Sequence, residues 1–251
     1  MKTKAKRSFR DNKSVYDDQL DSYNDYFVNG IGTIQEKLSN FSKYLSRQDM
    51  TEFIVMYELF KKILNIHGSI VECGVRFGGG LITFAKLSAI LEHVNYTRKI
   101  IGFDTFKGFP SLSKYDKNSD PKFAHKGALA SSFNDLIECI RHYDMDRFVN
   151  HIPKIELVKG DAVKTIPKFL CENPHTVVSL LYLDFDLYKP TKVALENFVP
   201  RMPKGGIIVF DELNHGSWSG ETLAVFHSIG IRNIKIERFS FDSRISYVVL
   251  D

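Results

Sequence analysis

The chain changes rhythm near Thr51. Before it, residues 1–50 are polar with scattered aromatics (Tyr16, Tyr23, Tyr26, Phe27), and no two-residue alternation develops. Helices are predicted over 15–27 and 31–46, behind a flexible start. From Thr51 onward, Phe53, Met56, Phe60 and Ile63 recur at helical spacing, and Gly68 is placed to end that helix. Near-continuous apolar runs then read as buried strands at 70–75, 99–106, 155–160, 177–186 and 206–212. Helices are predicted near 80–92, 131–145, 163–171, 190–200 and 218–229. Such alternation implies a parallel sheet with helices on both faces. The end breaks the pattern, because strands at 233–239 and 244–250 are separated by only four residues. That is too short for a parallel crossover, so the last strand must turn back antiparallel. The predicted fold class is therefore α/β: a Rossmann-like, seven-stranded, mostly parallel sheet with an antiparallel C-terminal strand. Residues 1–50 are expected to be a basic tail and helical extension, and 51–251 a single domain. The long polar connection at 107–130 has the length of an active-site lid.

Composition narrows the partners. With 251 residues and 43% hydrophobic, the chain can bury a full core. The net charge of +4 is concentrated at the start, where Lys2, Lys4, Lys6, Arg7, Arg10 and Lys13 face only Asp11. The remainder is close to neutral, so no nucleic-acid partner is expected. No apolar stretch approaches the ~18–20 residues that span a bilayer, and no membrane partner is expected either. Cys73, Cys139 and Cys171 show neither metal-ligand spacing nor a disulfide framework, and the start lacks the apolar core of a signal peptide. A cytoplasmic location follows as the expectation, with a homo-oligomer left open.

Candidate chemistry gathers at the carboxyl ends of the strands, where doubly wound sheets bind ligands. Glu72-x-Gly74-x-x-x-Gly78 leaves the first strand of the sheet and enters a helix, so backbone N–H groups at Gly78 to Gly80 can approach an anion. Asp104 ends the next strand, where a carboxylate can accept both hydroxyls of a ribose. Asp161 ends the third, where it could accept from an adenine amine. Each acid alone would read as a helix N-cap; the three together favour an adenosyl ligand. Glu72 would repel a pyrophosphate but welcomes the amino group and sulfonium of S-adenosylmethionine (SAM), and Arg76 stands where a dinucleotide fingerprint needs its middle glycine. SAM is therefore expected, and class I SAM-dependent methyltransferases close a parallel sheet with just such a terminal hairpin.

A second set of acids ends the fourth and fifth of these strands: Asp184, Asp186, Asp211 and Glu212. Strand alternation places Asp184 and Asp186 on one face. Like charges so close demand a shared proton or a cation, and an all-oxygen set favours Mg2+ or another divalent cation such as Ca2+ or Mn2+. A metal bound to two neighbouring hydroxyls would ease ionisation of a diol while a carboxylate takes the proton. His125 and His215 are reserve bases.

Four motifs resemble the macrocin O-methyltransferase family: Ile70-Val71-Glu72-Cys73-Gly74-Val75, Gly102 to Pro110, Asp184-Phe185-Asp186-Leu187-Tyr188 and Gly205 to Glu212. The similarity spans roughly residues 45–250. It implies methyl transfer from SAM, with Mg2+, to sugar hydroxyls, including the deoxysugars of macrolide and aminocoumarin antibiotics. By position it implies Asp184, Asp211 and Glu212 as metal ligands and Asp186 as general base; His215 stays the reserve catalytic base that the residues themselves suggest. The expected cofactor set is Glu72, Gly74, Val75, Phe77, Gly78, Gly79, Asp104, Thr105, Phe106, Asp161 and Asp184. His125, Tyr188 and Arg47 are expected to meet the acceptor, a small molecule with a sugar hydroxyl. Two positions depart from the family: Glu212 stands where it usually has aspartate, and Gly160-Asp161-Ala162 where it more often has an aromatic. A catechol-type acceptor, or a non-catalytic SAM-binding interaction module using the basic tail, are the alternatives.

Overall fold

The structure, a computed structural model, describes residues 13–116 and 124–251, with side chains from residue 21 onward. The basic residues before Lys13, and 117–123 of the expected lid, lie outside the described residues. The chain divides into two compact units, one reaching to Ile54 and the other Val55–Asp251.

The first unit holds helices α1 (Lys13–Asn29) and α2 (Ile34–Ser39), then a 3-10 turn at Phe41–Lys43. The helix expected over 31–46 is thus broken. Thr33 and Glu36 form a reciprocal capping box that starts α2 three residues late, and Asn40 closes it. Lys37 Nζ donates to the last-turn carbonyls of Phe27 (2.6 Å) and Val28 (3.2 Å), where a cation complements the end of α1. Tyr44 packs its ring on Tyr26 and Phe27, each at 5.3 Å. Helix α3 (Arg47–Ile63) begins in this unit and ends in the next.

The second unit alternates β1 (Ser69–Cys73), α4 (Gly79–Leu91), β2 (Ile100–Asp104), α5 (Phe133–Met145), β3 (Ile155–Lys159), α6 (Ala162–Glu172), β4 (Val178–Leu183), α7 (Tyr188–Phe198), β5 (Ile207–Phe210), α8 (Ser219–Ser228), β6 (Glu237–Arg238) and β7 (Ser246–Val249). The sheet has seven strands in the order β3-β2-β1-β4-β5-β7-β6. Pairs among β1 to β5 are parallel, and β7 runs antiparallel between β5 and β6. The central strands are largely apolar on both sides because both faces of the sheet are covered. Ile70, Ile100, Leu180 and Ile207 pack with Phe60 of α3 and Phe84 of α4. Their neighbours Val71, Ile101, Leu181 and Ile208 pack with Ile166, Leu195 and Val225 of α6, α7 and α8.

The strands are shorter than the apolar runs predict. β4 stops at Leu183 and β5 at Phe210, so all four acids lie beyond the sheet. β6 keeps only two residues of the expected 233–239, and a 3-10 turn at Ile231–Asn233 takes the first position of that range.

Candidate active site

Strand order reverses between β1 and β4, the place where doubly wound sheets bind their ligands. Gly74 N–H donates to Phe103 O at 2.9 Å and Asp184 N–H to Cys73 O at 2.8 Å, stitching the glycine turn and the first acid loop together. The turn is held in left-handed backbone at Gly74 (φ 102°), Arg76 (φ 50°) and Gly78 (φ 86°), the last being the N-cap of α4. Glu72 is buried, and a Cβ on residue 80 would run into its carboxylate. Glycine at 80 therefore lets an acid lie against the N-terminus of α4, where the helix dipole favours negative charge.

Asp104 is built into the same turn. One carboxylate oxygen accepts the Arg76 N–H at 2.8 Å and the other the Phe106 N–H at 2.6 Å. A carboxylate has about four acceptor sites, so each oxygen keeps one for a ribose hydroxyl. Thr105 Oγ1 donates to Gly108 O at 2.6 Å, while Phe106 is buried edge-on against Phe133. Val75 is buried too, whereas Phe77 is 67% exposed beneath the Arg76 guanidinium. Asp161 caps α6 through Val163 N–H (3.1 Å), so the N-cap reading describes one of its oxygens.

Past the ends of β4 and β5, Asp184, Asp186, Asp211 and Glu212 come together. Asp184 and Asp186 do not share a face through strand alternation, since the strand has ended and Asp186 is left-handed (φ 59°). The loop geometry brings them together instead. Burial raises the Asp184 carboxyl well above the usual range, and Asp211, Asp186, Glu72 and Glu221 raise it further. Burial pushes Asp186 up to about 7, with Asp211 adding and Arg76 opposing. Burial likewise raises Asp211, against the charge of Arg244 and a 3.3 Å bond from the Tyr182 hydroxyl. Glu212 rises to about 8 through burial, then through Asp211 and Asp186. His215 Nδ1 lies 3.3 Å from Glu212 Oε2, which brings the reserve base to the cluster.

Two participants were missed by sequence reasoning. Glu221, in the first turn of α8, is fully buried and accepts the Glu212 N–H at 3.0 Å. Its carboxyl lies well above the usual range through burial and then Asp211, and its Oε2 makes no hydrogen bond among the described residues. Arg244 comes from the β6–β7 connection and opposes the acids at Asp211 and Glu212. Glu221 follows a Ser-Gly pair at a helix start, a weak local signal; nothing local distinguishes Arg244.

The remaining expected residues are not gathered here. Tyr188 is buried, with its hydroxyl 2.9 Å from His227 Nδ1 between α7 and α8. His125 is exposed in the 107–130 connection, its carbonyl accepting the Ala128 N–H. Arg47 opens α3 in the first unit. The donor set is all oxygen and short of positive charge, which suits a hard divalent cation. Among the described residues, though, no three His, Cys, Asp or Glu side chains are arranged to hold one as they stand.

A parallel sheet reversing between β1 and β4, closed by an antiparallel β7 and carrying a glycine turn with an acid on β2, is the class I methyltransferase fold. The chain belongs to the macrocin O-methyltransferase (TylF) family, which it matches over residues 47–241. Among similar solved structures is CalS11, a calicheamicin methyltransferase: 32% identical, TM-score 0.91, covering 99% of both chains. An apo structure of CalS11, described as a TDP-rhamnose 3'-O-methyltransferase, gives 31% and 0.79, covering 98% of this chain and 96% of that one. A curated relative is the 8-demethyl-8-(2,3-dimethoxy-alpha-L-rhamnosyl)-tetracenomycin-C 4'-O-methyltransferase of Streptomyces olivaceus, 29% identical over 152 residues, 59% of this chain and 53% of that protein. Another is the demethyldecarbamoylnovobiocin O-methyltransferase of Streptomyces niveus, 28% identical over the same shares. The chain spans about half the length of these curated relatives.

Proposed function

We propose that the protein transfers a methyl group from SAM to a hydroxyl of a sugar or nucleotide-sugar, assisted by a divalent cation. The observation that carries this reading is the cluster of raised-pKa acids facing the glycine turn across the β1–β4 reversal. Family membership and relatives named for rhamnose and rhamnosyl methylation support the sugar acceptor.

Glu72 and the α4 N-terminus receive the amino acid end of SAM, Asp104 its ribose, and Asp161 its adenine. Asp184, Asp211 and Glu212 supply the oxygens for a cation such as Mg2+, which would acidify and orient two neighbouring hydroxyls. Asp186 takes the hydroxyl proton as the oxygen–methyl bond forms and the sulfur–methyl bond breaks. His215 holds Glu212 in place. The acceptor end opens into a cavity of about 480 Å³ whose walls include Lys114, Asn214, His215, Ser219 and Thr222. Tyr115 and Leu223 supply its apolar part, and the polar side chains among its walls offer donors and acceptors to the hydroxyls of a sugar. Among the described residues no helix is long and apolar enough to cross a membrane.

The test is methyl transfer to a panel of sugar and catechol diols, with and without chelator. Loss of sugar methylation on chelation, restored by Mg2+, is expected. Full turnover in chelator, or in Asp211→Asn, would show that the metal part of the reading is wrong. SAM binding without transfer to any diol would favour an interaction module.

A further inference from the structure

A buried carboxylate that the reaction scheme leaves unused lies outside the acid cluster. Asp116 is 2% exposed and sits in the 107–130 connection. One of its oxygens accepts both the N–H and the hydroxyl of Ser113, each at 2.6 Å. The other accepts the Tyr188 N–H, at 2.8 Å, across 72 positions of sequence. Tyr188 is the first residue of α7, and Leu187, its N-cap, offers no side-chain cap. Asp116 therefore caps α7 from a distance, doing what a local Ser or Asp usually does.

The place it caps matters. Asp186 lies two residues before Tyr188, in left-handed backbone that aspartate tolerates better than most residues. Gly220, at the start of α8, closes the arrangement: a Cβ there would run into Asp116 Oδ1, the Tyr188 nitrogen and the Asp186 carbonyl oxygen together. The next residue, Glu221, accepts the Glu212 N–H. A chain of contacts thus leads from Asp116 through the Asp186 turn and Gly220–Glu221 to the second acid loop. Asp116 also fixes its own 3-10 turn, Lys114–Asp116. Tyr115 stacks on Tyr188 at 4.2 Å and its carbonyl accepts the Ser219 hydroxyl, while Lys114 and Tyr115 form one wall of the 480 Å³ cavity.

We infer that Asp116 is a positioning residue that couples the acceptor wall to the general base. The 107–116 stretch is then a built part of the acceptor site, anchored by one buried carboxylate. The inference rests on the reading of Asp186 as base and of the cavity as acceptor seat.

The test uses the full chain with Asp116→Ala, Asp116→Asn and Tyr188→Phe. In Asp116→Ala, kcat should fall at least about tenfold and acceptor KM rise several-fold, with SAM affinity within about twofold of wild type. Asp116→Asn keeps an acceptor oxygen for the Tyr188 N–H but sets its NH2 against the Ser113 N–H, and should recover only part of the loss. Tyr188→Phe keeps that N–H and the ring while losing the hydroxyl contact with His227, so its residue 188 amide should stay protected whatever its turnover. Amide exchange provides a readout independent of turnover: the Tyr188 N–H should be protected in wild type and exchange at least about tenfold faster in Asp116→Ala. Unchanged kcat and acceptor KM in Asp116→Ala would overturn the inference, as would an equal loss of SAM affinity or an unprotected Tyr188 amide in wild type. If Asp116→Ala does not fold, Asp116→Asn and the wild-type exchange rate decide it. Failure of the functional reading looks different: wild type then methylates no sugar, while exchange at Tyr188 still reports whether Asp116 holds the turn.

Discussion

The two ends of the sheet treat buried charge in opposite ways. At the N-terminal edge of the strands, Arg98 is 3% exposed and fully engaged. Its Nε pairs with Glu92 at 2.9 Å, Nη1 donates to Gly68 O and to Ser179 Oγ, and Nη2 to the carbonyls of Ile63 and Ile66. One guanidinium thereby closes the end of α3 and joins the starts of β1, β2 and β4, using the fork of donors that only arginine offers. At the C-terminal edge, five carboxyl groups are drawn together and each is made harder to ionise. Arg244, Arg76 and His215 oppose them. The first end is arranged for stability. The second retains a repulsion that a purely structural design would remove, the usual mark of a functional site.

This contrast can be broken from either end. Asp186→Asn should lower kcat by about 10²- to 10⁴-fold, the usual worth of a positioned base, while urea unfolding shows no loss of stability. Reduced stability with retained turnover would invert the comparison. Arg98→Ala should do the reverse. Leaving Glu92 and several buried carbonyls short of donors should cost about 3–5 kcal/mol, read as a lower urea midpoint, with turnover per folded molecule retained at low temperature.

A third measurement sharpens the acid end. Glu212, raised to about 8 from an ordinary 4.5, binds more protons folded than unfolded between those values. Its contribution therefore falls as pH rises from about 4.5 to 8. In chelator-treated protein, Glu212→Gln should match wild type near pH 4.5 and become more stable by about 2 kcal/mol by pH 8.

The smallest effect tests an exception at the stable end. Lys154, before β3, is pushed down to about 8 by burial, against the pull of Glu92. The unfolded chain then binds more protons between about 8 and 10.5, so this term gains stability as pH rises through that window. Lys154→Met should gain about 1 kcal/mol over wild type below pH 8, and lose that advantage by about pH 10.5. Thermal melts across that range would show it.

Much of the fold was legible because the apolar pattern answers a local question. Ile70 and Val71 are both buried on opposite faces, which a run of apolar residues reports directly. The glycine turn was legible for a similar reason, since left-handed backbone at Gly74 and Gly78 restricts the residue type. Strand ends were less so. The runs at 177–186 and 206–212 continue through their acids without a break, yet the strands end at Leu183 and Phe210. The helix expected over 31–46 failed at Thr33, where a strong local cap outweighed the pattern around it.

By itself, the sequence determined the sheet, its closing antiparallel strand, the glycine turn and the identity of four acids, because each depends on near neighbours and on periodicity. The tertiary structure alone decided which other charges join them. Glu221 reaches Glu212 from α8, Arg244 arrives from the terminal hairpin, and Asp116 meets Tyr188 across 72 positions. The physical reason is that hydrogen bonding and charge act over a few ångströms of space whatever the separation along the chain, and only the folded sheet sets those distances.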